Sequence, residues 1–384
     1  MKILQVFDFF SPQLGGGTVG LIRKLSQTLV NMGNEVTICT SNFKTDQNYI
    51  DSLPEVKFLL YHNWFNLFNF YFTPSLVTLD ITNYDIIHFH CYRSFQNVLV
   101  SKLAIRSSIP YIINAHGSAA KTSSSTRLLK ILYDRIFSKS IISNASKFVA
   151  TNLVSQQEYL DLGIPLEKIT IIHPFIDLAE FTCLPRKGLF KSSHQISTKY
   201  MILFMGRINK IKGLEFLIES FYQLCKTIDE ITLVIAGTDD GYWGYVRKLI
   251  IRLGLDDKVL YVGYISGIEK KAALVDANML VQVSSHEQGA GSPFEAMICD
   301  TPVIVTKGTG AGEDIINSQG GYLVDYNKTQ ELASTINFIL NNPDIASQKA
   351  KIGKEWIKAN LSLDSRVAKY EQLYREVISA KINK

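Results

Sequence analysis

The chain has 384 residues, of which 46% are hydrophobic and 20% are charged. This composition excludes a disordered protein and leaves room for two domains of about 180 residues each. The formal net charge of +5 is too small to indicate a nucleic-acid-binding protein.

The five cysteines are scattered and lack a Cys-x-x-Cys spacing, which argues against a disulfide framework or a zinc site and favours a reducing cytosol. Asp8 interrupts the apolar N-terminal run, and no window of about 18 apolar residues occurs. The sequence therefore predicts neither a signal peptide nor a membrane-spanning helix, and we expect a cytoplasmic protein.

Strand-like apolar runs alternate with helix-like segments in the first half of the chain, which predicts βαβ units and a parallel sheet. A first strand is predicted at KILQVFDF, and a helix follows from about Thr18 to Met32. Further strands are predicted at EVTICTS, DIIHFH (85–90), PYIINAH (110–116), KFVATN from Lys147 and KITIIHP from Lys168.

The segment from Phe181 to Lys199 shows no clear period and is rich in Ser, Lys and Arg, so we interpret it as an interdomain linker. The alternation then restarts, with predicted strands at YMILFMGR, ITLVIAG, KVLYVGY, ANMLVQVS, TPVIVT and GGYLVD. This restart predicts two Rossmann-like, doubly wound domains, residues 1–180 and 181–364, that face a central cleft. Ligands of such sheets bind beyond the carboxyl ends of the strands, so we look for chemistry in the loops there.

Three consecutive glycines, Gly15, Gly16 and Gly17, stand between the first strand and its helix. Glycines let a backbone approach a ligand closely, and a helix N-terminus offers free N–H groups to an anion. A flexible turn is the alternative. The run is not a GxGxxG fingerprint, and no acidic residue closes the next strand, so a nicotinamide dinucleotide site is not predicted.

His116 and Gly117 follow a predicted strand, so His116 is a candidate to hydrogen-bond a ligand hydroxyl group, with a structural histidine as the alternative. His88 and His90 are two residues apart and therefore share one face of a strand. Because no carboxylate or cysteine accompanies them, a metal site is not predicted. We interpret His88 as structural and keep His90 as a cleft candidate.

Two cations follow the first strand of the second half, in Gly206-Arg207 and Lys212-Gly213, and a helix is predicted from about Leu214. Arginine offers phosphate oxygens a planar fork of donors, and lysine offers a point charge. The strand end, the glycines and the helix start together favour a phosphate site over a solvated basic loop.

Two carboxylates, Glu287 and Glu295, flank a glycine-containing loop after the strand ANMLVQVS. Ser292 to Glu295 forms a possible capping box with Pro293 at the first helical position. Glu295 is therefore predicted either to cap this helix or to accept hydrogen bonds from ribose hydroxyls, beside a diphosphate at the helix N-terminus.

These motifs resemble those of retaining glycosyltransferase family 4, whose members have the two-domain α/β GT-B fold. The resemblance extends over nearly the whole chain, from the early glycines and His116-Gly117 to the Glu-x7-Glu pair. It implies an acceptor-binding N-terminal domain, a nucleotide-sugar-binding C-terminal domain and a final helix, 365–384, that packs back on the first domain. The apolar face of that helix is formed by Tyr370, Leu373, Tyr374 and Val377.

The resemblance also implies residue roles. Arg207 and Lys212 would hold the donor diphosphate, Glu287 the donor sugar and Glu295 the ribose, while His116 would approach the transferred sugar. The implied catalytic residues are His116, Arg207, Lys212 and Glu287. The implied donor-binding residues are Gly16, Gly17, Arg207, Lys212, Gly263, Glu287, Gly291, Ser292 and Glu295.

Two segments depart from the family pattern: QGAGSPF between the glutamates, and HPFID at 173–177. Members often have GFG followed by an aliphatic residue and Pro at the first, and Pro-Asn-Gly before a hydrophobic-Asp pair at the second; neither change removes a charged residue. No Asp-x-Asp triplet occurs, so Arg207, Lys212 and a helix N-terminus are expected to stabilise the leaving diphosphate without a metal or other cofactor. Retention then implies same-face attack, with Glu287 as a covalent nucleophile the less favoured alternative.

The acceptor side is predicted from two segments. Leu59 to Phe72 is densely aromatic and would line a groove for sugars or prenyl chains, or form ordinary core. Arg127 to Lys147 combines cations with aliphatic side chains, as in a basic helix on an anionic membrane or a helix packed on the sheet. We expect a UDP-linked hexose donor, a glycan or polyprenyl-linked acceptor and peripheral contact with the inner face of the cell membrane.

Two other hypotheses stay open. A GT-B nucleotide-sugar epimerase would need additional acid–base residues and would lack this combination of Lys-Gly and Glu-x7-Glu. A non-catalytic GT-B partner subunit is disfavoured by the presence of Arg207, Lys212, Glu287 and Glu295.

Overall fold

The computed structural model describes residues 1–67, 70–119 and 127–382. The chain forms two compact units. One comprises residues 1–173 together with the segment from Asp364 onward, and the other comprises residues 174–363. Within the described ranges, no helix is both long enough and apolar enough to cross a bilayer.

The first unit is built on a seven-stranded, all-parallel sheet. The strands of this unit are β1 (Lys2–Phe9), β2 (Glu35–Ser41), β3 (Lys57–Tyr61), β4 (Phe65–Leu67), β5 (Phe70–Phe72), β6 (Ile86–His90), β7 (Tyr111–Asn114), β8 (Lys147–Ala150) and β9 (Ile169–Ile171). The sheet order is β3-β2-β1-β6-β7-β8-β9. β4 and β5 form a separate antiparallel pair. The aromatic segment, which overlaps the end of β3 and contains β4 and β5, was not predicted as strands. Its residues 68 and 69 lie outside the described ranges.

The second unit is built on a six-stranded, all-parallel sheet. Its strands are β10 (Tyr200–Met205), β11 (Ile231–Ala236), β12 (Val259–Gly263), β13 (Met279–Gln282), β14 (Val303–Thr306) and β15 (Tyr322–Val324). The order is β12-β11-β10-β13-β14-β15. All six predicted strands of this half are confirmed. Both sheets are Rossmann-like. In each, the first strand is central, the next strands are added on one side of it, and the later strands are added on the other side.

Helices connect the strands of both sheets. They are α1 (Pro12–Asn31), α2 (Gln47–Asp51), α3 (Phe95–Arg106), α4 (Arg127–Tyr133), α5 (Lys139–Asn144), α6 (Leu153–Asp161), α7 (Leu189–Ser193), α8 (Leu214–Leu224), α9 (Trp243–Arg252), α10 (Gly267–Asp276), α11 (Gly291–Ile298), α12 (Gly310–Ser318), α13 (Thr329–Asn341), α14 (Pro343–Asn360) and α15 (Leu363–Ile382). A π-helical turn, Asp134–Ser138, joins α4 to α5.

Helix α1 begins earlier than the predicted start near Thr18. Pro12 occupies its first turn after an extended Ser11, a position where the missing proline N–H leaves no intrahelical bond unmade. The helix is kinked at Gly16, whose φ of +48° and ψ of −128° are not helical. The glycine run therefore lies within a kinked helix rather than before it.

Successive side chains of a strand point to opposite faces of the second sheet, and both faces are buried in the core of the second unit. In β10, Ile202 and Phe204 are buried on one face of the sheet, and Met201, Leu203 and Met205 are buried on the other. Helices cover both faces, so these strands read as continuous apolar runs rather than as alternating ones. This explains why the pattern in the sequence predicts them well.

The segment from Phe181 to Lys199 is not a linker, and that interpretation is wrong. Phe181 and Phe190 are buried in the core of the second unit, and α7 lies inside the segment. The carboxylate of Asp276 accepts hydrogen bonds from the backbone N–H groups of Gly188 and Lys191. Phe181 and Phe190 anchor the segment in the core. Two isolated aromatic residues are too few to produce a recognisable hydrophobic period in the sequence.

Helices α11 and α14 pack closely behind the second sheet. Gly320 and Gly353 approach so closely that a Cβ on either would overlap the other residue and the sulfur of Met297. Met297 belongs to α11, so two glycines far from it in sequence determine how closely that helix is held.

Candidate active site

The two central strands of the second sheet, β10 and β13, are neighbours at the point where the strand order reverses. The connections after these strands diverge to opposite faces of the sheet, which leaves a crevice beyond their carboxyl ends. The loop 206–213 follows β10 and the loop 283–290 follows β13. Arg207, Lys212 and Glu287 of the predicted donor-binding set lie in these two loops.

Lys212 and Glu287 meet in this crevice. The Nζ atom of Lys212 forms an ion pair with Oε2 of Glu287, and the two side chains are only 11% and 17% exposed. The same oxygen accepts hydrogen bonds from Nε2 of Gln282 at 3.2 Å and Oγ of Ser284 at 3.1 Å. Three donors therefore fix one oxygen of Glu287. Together they compensate the negative charge of this largely buried carboxylate.

Glycine permits the backbone approach that brings the two loops together. Gly213 has φ of +69°, and a Cβ there would overlap the carbonyl oxygen of Val283. The backbone N–H of Ser285 donates to the carbonyl of Ile211 at 2.8 Å, which ties the loops a second time. Lys212 thus reaches Glu287 from a loop that is packed directly against the extension of β13.

Arg207 takes a different partner from Lys212. Its Nη1 atom lies 3.1 Å from Oδ2 of Asp240, in the loop after β11, and both side chains are about half exposed. Asn209 donates to the same carboxylate oxygen at 3.2 Å. Exposed pairs of this kind contribute about 0–1 kcal/mol, so the guanidinium can turn to another anion at little cost.

Glu295 lies in α11 and pairs with Lys270 of α10. The distance from Oε1 to Nζ is 2.8 Å, and both side chains are about one-fifth exposed. Burial works against the charge of Lys270, but Glu295 offsets this through its charge and its hydrogen bond, so the pKa of Lys270 is raised. The pair holds the carboxylate on the side of the helix.

The predicted capping box at this helix is wrong. Helix α11 begins at Gly291 with Ala290 as its N-cap, and no side-chain capping bond forms there. Pro293 is therefore not at the first helical position. Of the two roles predicted for Glu295, helix capping is removed and ribose binding stays a prediction.

Gly263, Gly291 and Ser292 lie at element ends in the second unit. Gly263 ends β12 with φ of +72°, while Gly291 and Ser292 are the first two residues of α11. A Cβ added at Gly263 or at Gly291 would meet no atom within 4 Å, so both border open space.

A buried carboxyl group supports the loop between Glu287 and Gly291. Oδ2 of Asp314, which is 1% exposed, accepts a hydrogen bond from the N–H of Ala290 at 2.9 Å. The N–H of Gly310 donates to the carbonyl of Glu287 at 2.7 Å. Burial raises the pKa of Asp314 to about 7. Helix α12 thus holds both ends of the loop.

The remaining predicted residues lie in the first unit. Gly16 and Gly17 border open space, where a Cβ would meet no atom within 4 Å. His116 follows β7 with φ of +45°, and its Nε2 atom is 2.9 Å from Nδ1 of His90. His88 is fully buried and its Nδ1 atom is 2.8 Å from the hydroxyl of Tyr374.

Sequence reasoning missed the partners of the charged residues. Lys270 and Asp240 lie on other elements, and nothing in their local sequence marks them as partners of Glu295 and Arg207. Asp314 lies inside a helix where no motif was recognised. Gln282 did carry a signal, because it is a polar residue inside the apolar run ANMLVQVS.

No group of three or more His, Cys, Asp or Glu residues arranged to hold a metal ion occurs in residues 1–67, 70–119 and 127–382. All five cysteines are free thiols.

Two family models match the chain on either side of residue 180. The model for Glycosyltransferase Family 4 matches residues 15–180, and the model for Glycosyl transferases group 1 matches residues 186–356. The chain belongs to glycosyltransferase family 4. The two matches together span the glycines of α1, His116 and the ion pairs of the second unit.

Curated relatives agree with this membership. This family 4 glycosyltransferase is 25% identical over 324 residues to an uncharacterized glycosyltransferase of Methanocaldococcus jannaschii, with 82% of this chain and 81% of the relative covered. It is 22% identical to the N-acetyl-alpha-D-glucosaminyl L-malate synthase of Bacillus anthracis, with 96% and 95% covered.

The fold is similar to that of two solved GT-B proteins. HepE of Anabaena, crystallised with UDP and glucose, superimposes with a TM-score of 0.81 at 17% identity over 97% of this chain and 99% of HepE. The sucrose-phosphate synthase of Thermosynechococcus elongatus gives a TM-score of 0.82 at 22% identity over 99% and 100%. At these identities the likeness shows the fold.

Proposed function

We propose that this glycosyltransferase moves a hexose from a UDP-linked donor to a glycan or polyprenyl-linked acceptor with retention of anomeric configuration. The observation that carries the proposal is the Lys212–Glu287 pair in the crevice beyond the carboxyl ends of the central strands β10 and β13, where ligands of such sheets bind. The similar protein HepE binds UDP and glucose in its crystal structure, which supports this donor class.

In the proposed reaction, the bond between C1 of the sugar and the β-phosphate oxygen breaks, and its electron pair leaves with the diphosphate. An acceptor hydroxyl oxygen forms the new bond to C1 on the same face, and its proton passes to the departing phosphate. Lys212 and Arg207 would stabilise the growing negative charge, Glu287 would hold hydroxyls of the donor sugar and Glu295 those of ribose.

The ion pairs have a physical role in this scheme. Lys212, Glu287 and Glu295 are held by largely buried ion pairs, so their positions are set before the donor binds and little reorganisation is needed as charge develops. Arg207 is held only by an exposed pair, so it can turn towards the diphosphate. The N-terminus of α11, with Gly291 and Ser292, adds backbone dipoles of the sign that a diphosphate requires. These groups supply the charge compensation, so we propose a transfer that needs no divalent metal.

The test is a transfer assay with a panel of UDP- and GDP-linked hexoses, with and without EDTA, and NMR assignment of the anomeric configuration of the product. We expect transfer from a UDP-linked donor, an unchanged anomeric configuration and no effect of EDTA. An inverted product or loss of transfer in EDTA would contradict the mechanism. Conversion of the donor to its epimer without transfer would support an epimerase instead.

A second surface bears on the acceptor. Helix α4 exposes Leu128, Leu129 and Leu132, with Leu128 80% exposed. Phe65 of β4 and Trp64, which precedes β4, are exposed as well. The cations Arg127 and Lys130 lie in α4, Arg135 lies in the π-helical turn after it, and Lys139 begins α5. The ring of Phe70 in β5 lies 6.4 Å from that of Tyr133 in α4, so the two elements are in contact, and we refer to their exposed side chains together as one face.

This face combines exposed apolar side chains with cations, which is the composition of a surface that binds an anionic bilayer. We propose that it places the first unit on the membrane, where a polyprenyl-linked acceptor would be found. The double variant Leu128→Glu/Leu132→Glu should lose co-sedimentation with vesicles of phosphatidylglycerol and phosphatidylcholine.

Ile316→Glu is the matched control, since Ile316 is an aliphatic residue of the second unit that is 59% exposed. It should co-sediment like the wild type, and vesicles of phosphatidylcholine alone should bind less of either protein. Equal binding by the double variant and the control would contradict the membrane proposal and leave the transfer proposal intact.

A further inference from the structure

The centre of the first sheet carries polar side chains on one face. Gln5 of β1 pairs in register with His88 of β6, and His90 pairs with Asn114 of β7, so all four point to the same side. All four are at most 1% exposed. Polar groups buried this deeply require hydrogen-bond partners, and those partners are specific.

A chain of hydrogen bonds runs from the sheet to His116. Nε2 of His90 is 2.9 Å from Oε1 of Gln5, and Nδ1 of His90 is 2.9 Å from Nε2 of His116. The amide oxygen of Gln5 can only accept, so Nε2 of His90 carries the hydrogen and Nδ1 carries the lone pair. Nε2 of His116 must then be the protonated nitrogen.

This chain leaves Nδ1 of His116 with a lone pair. In the residues that the structure describes, the ring of His116 hydrogen-bonds to the protein through Nε2, and the residue is partly exposed. Burial lowers the pKa of His116 to about 4 and also lowers the pKa of His88 and His90, so the rings are neutral near pH 7. A neutral ring in one tautomer offers a hydrogen-bond acceptor to a hydroxyl group.

The backbone around His116 is fixed as well. Its φ of +45° lies in the left-handed region, which is rare for a residue other than glycine. The N–H of Ala115 donates to the hydroxyl of Tyr159 at 2.8 Å, and Asn114 donates to the hydroxyl of Tyr370 at 3.0 Å. Ring orientation and backbone are therefore held by separate contacts.

We propose that His90 is a positioning residue, which holds His116 in the tautomer with a bare Nδ1 so that this atom accepts a hydrogen bond from a sugar hydroxyl. The inference rests on the proposed function, because it assumes that His116 meets a sugar. His90 acts through His116 and touches no substrate. The ring of His88 packs on that of His90, with 4.0 Å between the centroids, but His88 hydrogen-bonds to Tyr374 and not to His90 or Gln5. It is therefore a matched control for packing without the hydrogen-bond chain.

The direct test is the ¹⁵N NMR spectrum of the protein labelled at its histidine rings, since the two ring nitrogens have different shifts when protonated and when bare. We expect His116 with Nε2 protonated and Nδ1 bare near pH 7. The opposite assignment, with a proton on Nδ1, would overturn the proposal, because His116 would then be a donor to the substrate.

The kinetic test compares His90→Leu, His90→Asn and His88→Leu. His90→Leu should lower kcat about tenfold, the size expected for one neutral hydrogen bond, and give a mixture of His116 tautomers. His90→Asn should restore kcat to near the wild-type value, because its side-chain oxygen can replace Nδ1 as the acceptor. His88→Leu should leave both kcat and the His116 spectrum unchanged.

Equal losses in kcat for His90→Leu and His88→Leu would overturn the proposal in favour of a merely structural histidine. If His90→Leu does not fold, Gln5→Leu serves in its place, because it leaves His90 intact and removes the group that sets its tautomer. A single unchanged tautomer of His116 in Gln5→Leu would contradict the relay. Absence of transfer by the wild type would instead contradict the proposed function. The NMR experiment reports the tautomer of His116 whether or not transfer is observed.

Discussion

The two sheets have the same parallel strand order around their centres, yet the chemistry at those centres differs. In the first sheet the central residues are neutral: His88, His90 and Gln5 are buried and bonded to one another or to tyrosines. In the second unit the Lys212–Glu287 ion pair lies in the loops that follow the two central strands. One strand order therefore supports an uncharged hydrogen-bond network and a charged site equally well.

Buried ionisable side chains are stabilised in a different way in each sheet. In the first sheet, burial lowers the pKa of each histidine, so the proton is lost and no counter-charge is required. In the second sheet, each charge keeps a partner of opposite sign within a partly solvated crevice. A diphosphate needs cations, so the second sheet suits the donor, whereas neutral groups suit the discrimination of hydroxyls.

The largest predicted effect is that of Lys212→Ala. In the proposed reaction Lys212 stabilises the leaving diphosphate, so its removal should lower kcat by about 10²–10³. Lys210→Ala is the control, because Lys210 is exposed in the same 3₁₀ turn. Steady-state transfer assays measure both, and similar rates for the two variants would show that the charge at Lys212 does not act on the leaving group.

A substitution of glycine tests the backbone frame of each unit. Gly213→Ala should lower the free energy of unfolding by about 3 kcal/mol, because φ is +69° and the new Cβ overlaps the Val283 carbonyl. Gly16→Ala should cost less, about 2 kcal/mol, since its φ of +48° and ψ of −128° are unfavourable for alanine but no atom lies within 4 Å of the new Cβ. Urea titrations followed by circular dichroism measure both, and equal costs would contradict the close approach at Gly213.

The pH dependence of stability tests a buried carboxyl in each unit. Burial raises the folded-state pKa of Asp314 and of Asp8 to about 7, above the unfolded value. The stability that each contributes is therefore fully present below about pH 4 and is lost as the pH rises through 7. Asp314→Asn keeps an acceptor for the N–H of Ala290 but does not titrate.

We expect Asp314→Asn to gain stability relative to the wild type between pH 5 and 8, on the order of 2 kcal/mol, with Asp8→Asn showing the same sign. Thermal unfolding at a series of pH values provides the measurement. A wild-type curve that rises with pH over this range would contradict the raised pKa values.

The smallest predicted effect concerns ribose. Glu295→Gln should raise the KM for the nucleotide sugar about tenfold and change kcat little, because ribose is bound equally in the ground state and the transition state. Glu355→Gln is the control, since its pair with Lys358 is exposed. A loss confined to kcat would instead assign Glu295 to the chemical step.

Much of the fold could be predicted from the sequence. Strands buried on both faces, such as β10 and β11, leave unbroken apolar runs, and these were located correctly. Short strands with exposed residues, such as β4, carry no such run and were missed. The buried segment around Phe190 was also missed, because single anchors produce no period.

The individual charged residues of the candidate site could be predicted from the sequence, but the ion pairs that they form could not. Glycines, strand ends and charges mark Lys212 and Glu287 in the sequence, but their contact depends on the sheet order that places β10 beside β13. The Glu295–Lys270 pair depends likewise on the packing of α10 against α11. Contacts between distant elements leave no local trace in the sequence. The capping prediction at α11 was wrong for a local reason, because the helix begins at Gly291 and Ser292 is already inside it.

The close packing of Gly320, Gly353 and Met297 has a consequence for mutational tolerance. Any side chain larger than hydrogen at either glycine must push Met297 aside, and Met297 lies two residues along α11 from Glu295. A saturation-mutagenesis screen scored on transferase activity should therefore show depleted positions at 320 and 353, although neither residue carries a group that could bind the donor. Such a screen would separate the mechanical support of α11 from the residues that contact a ligand.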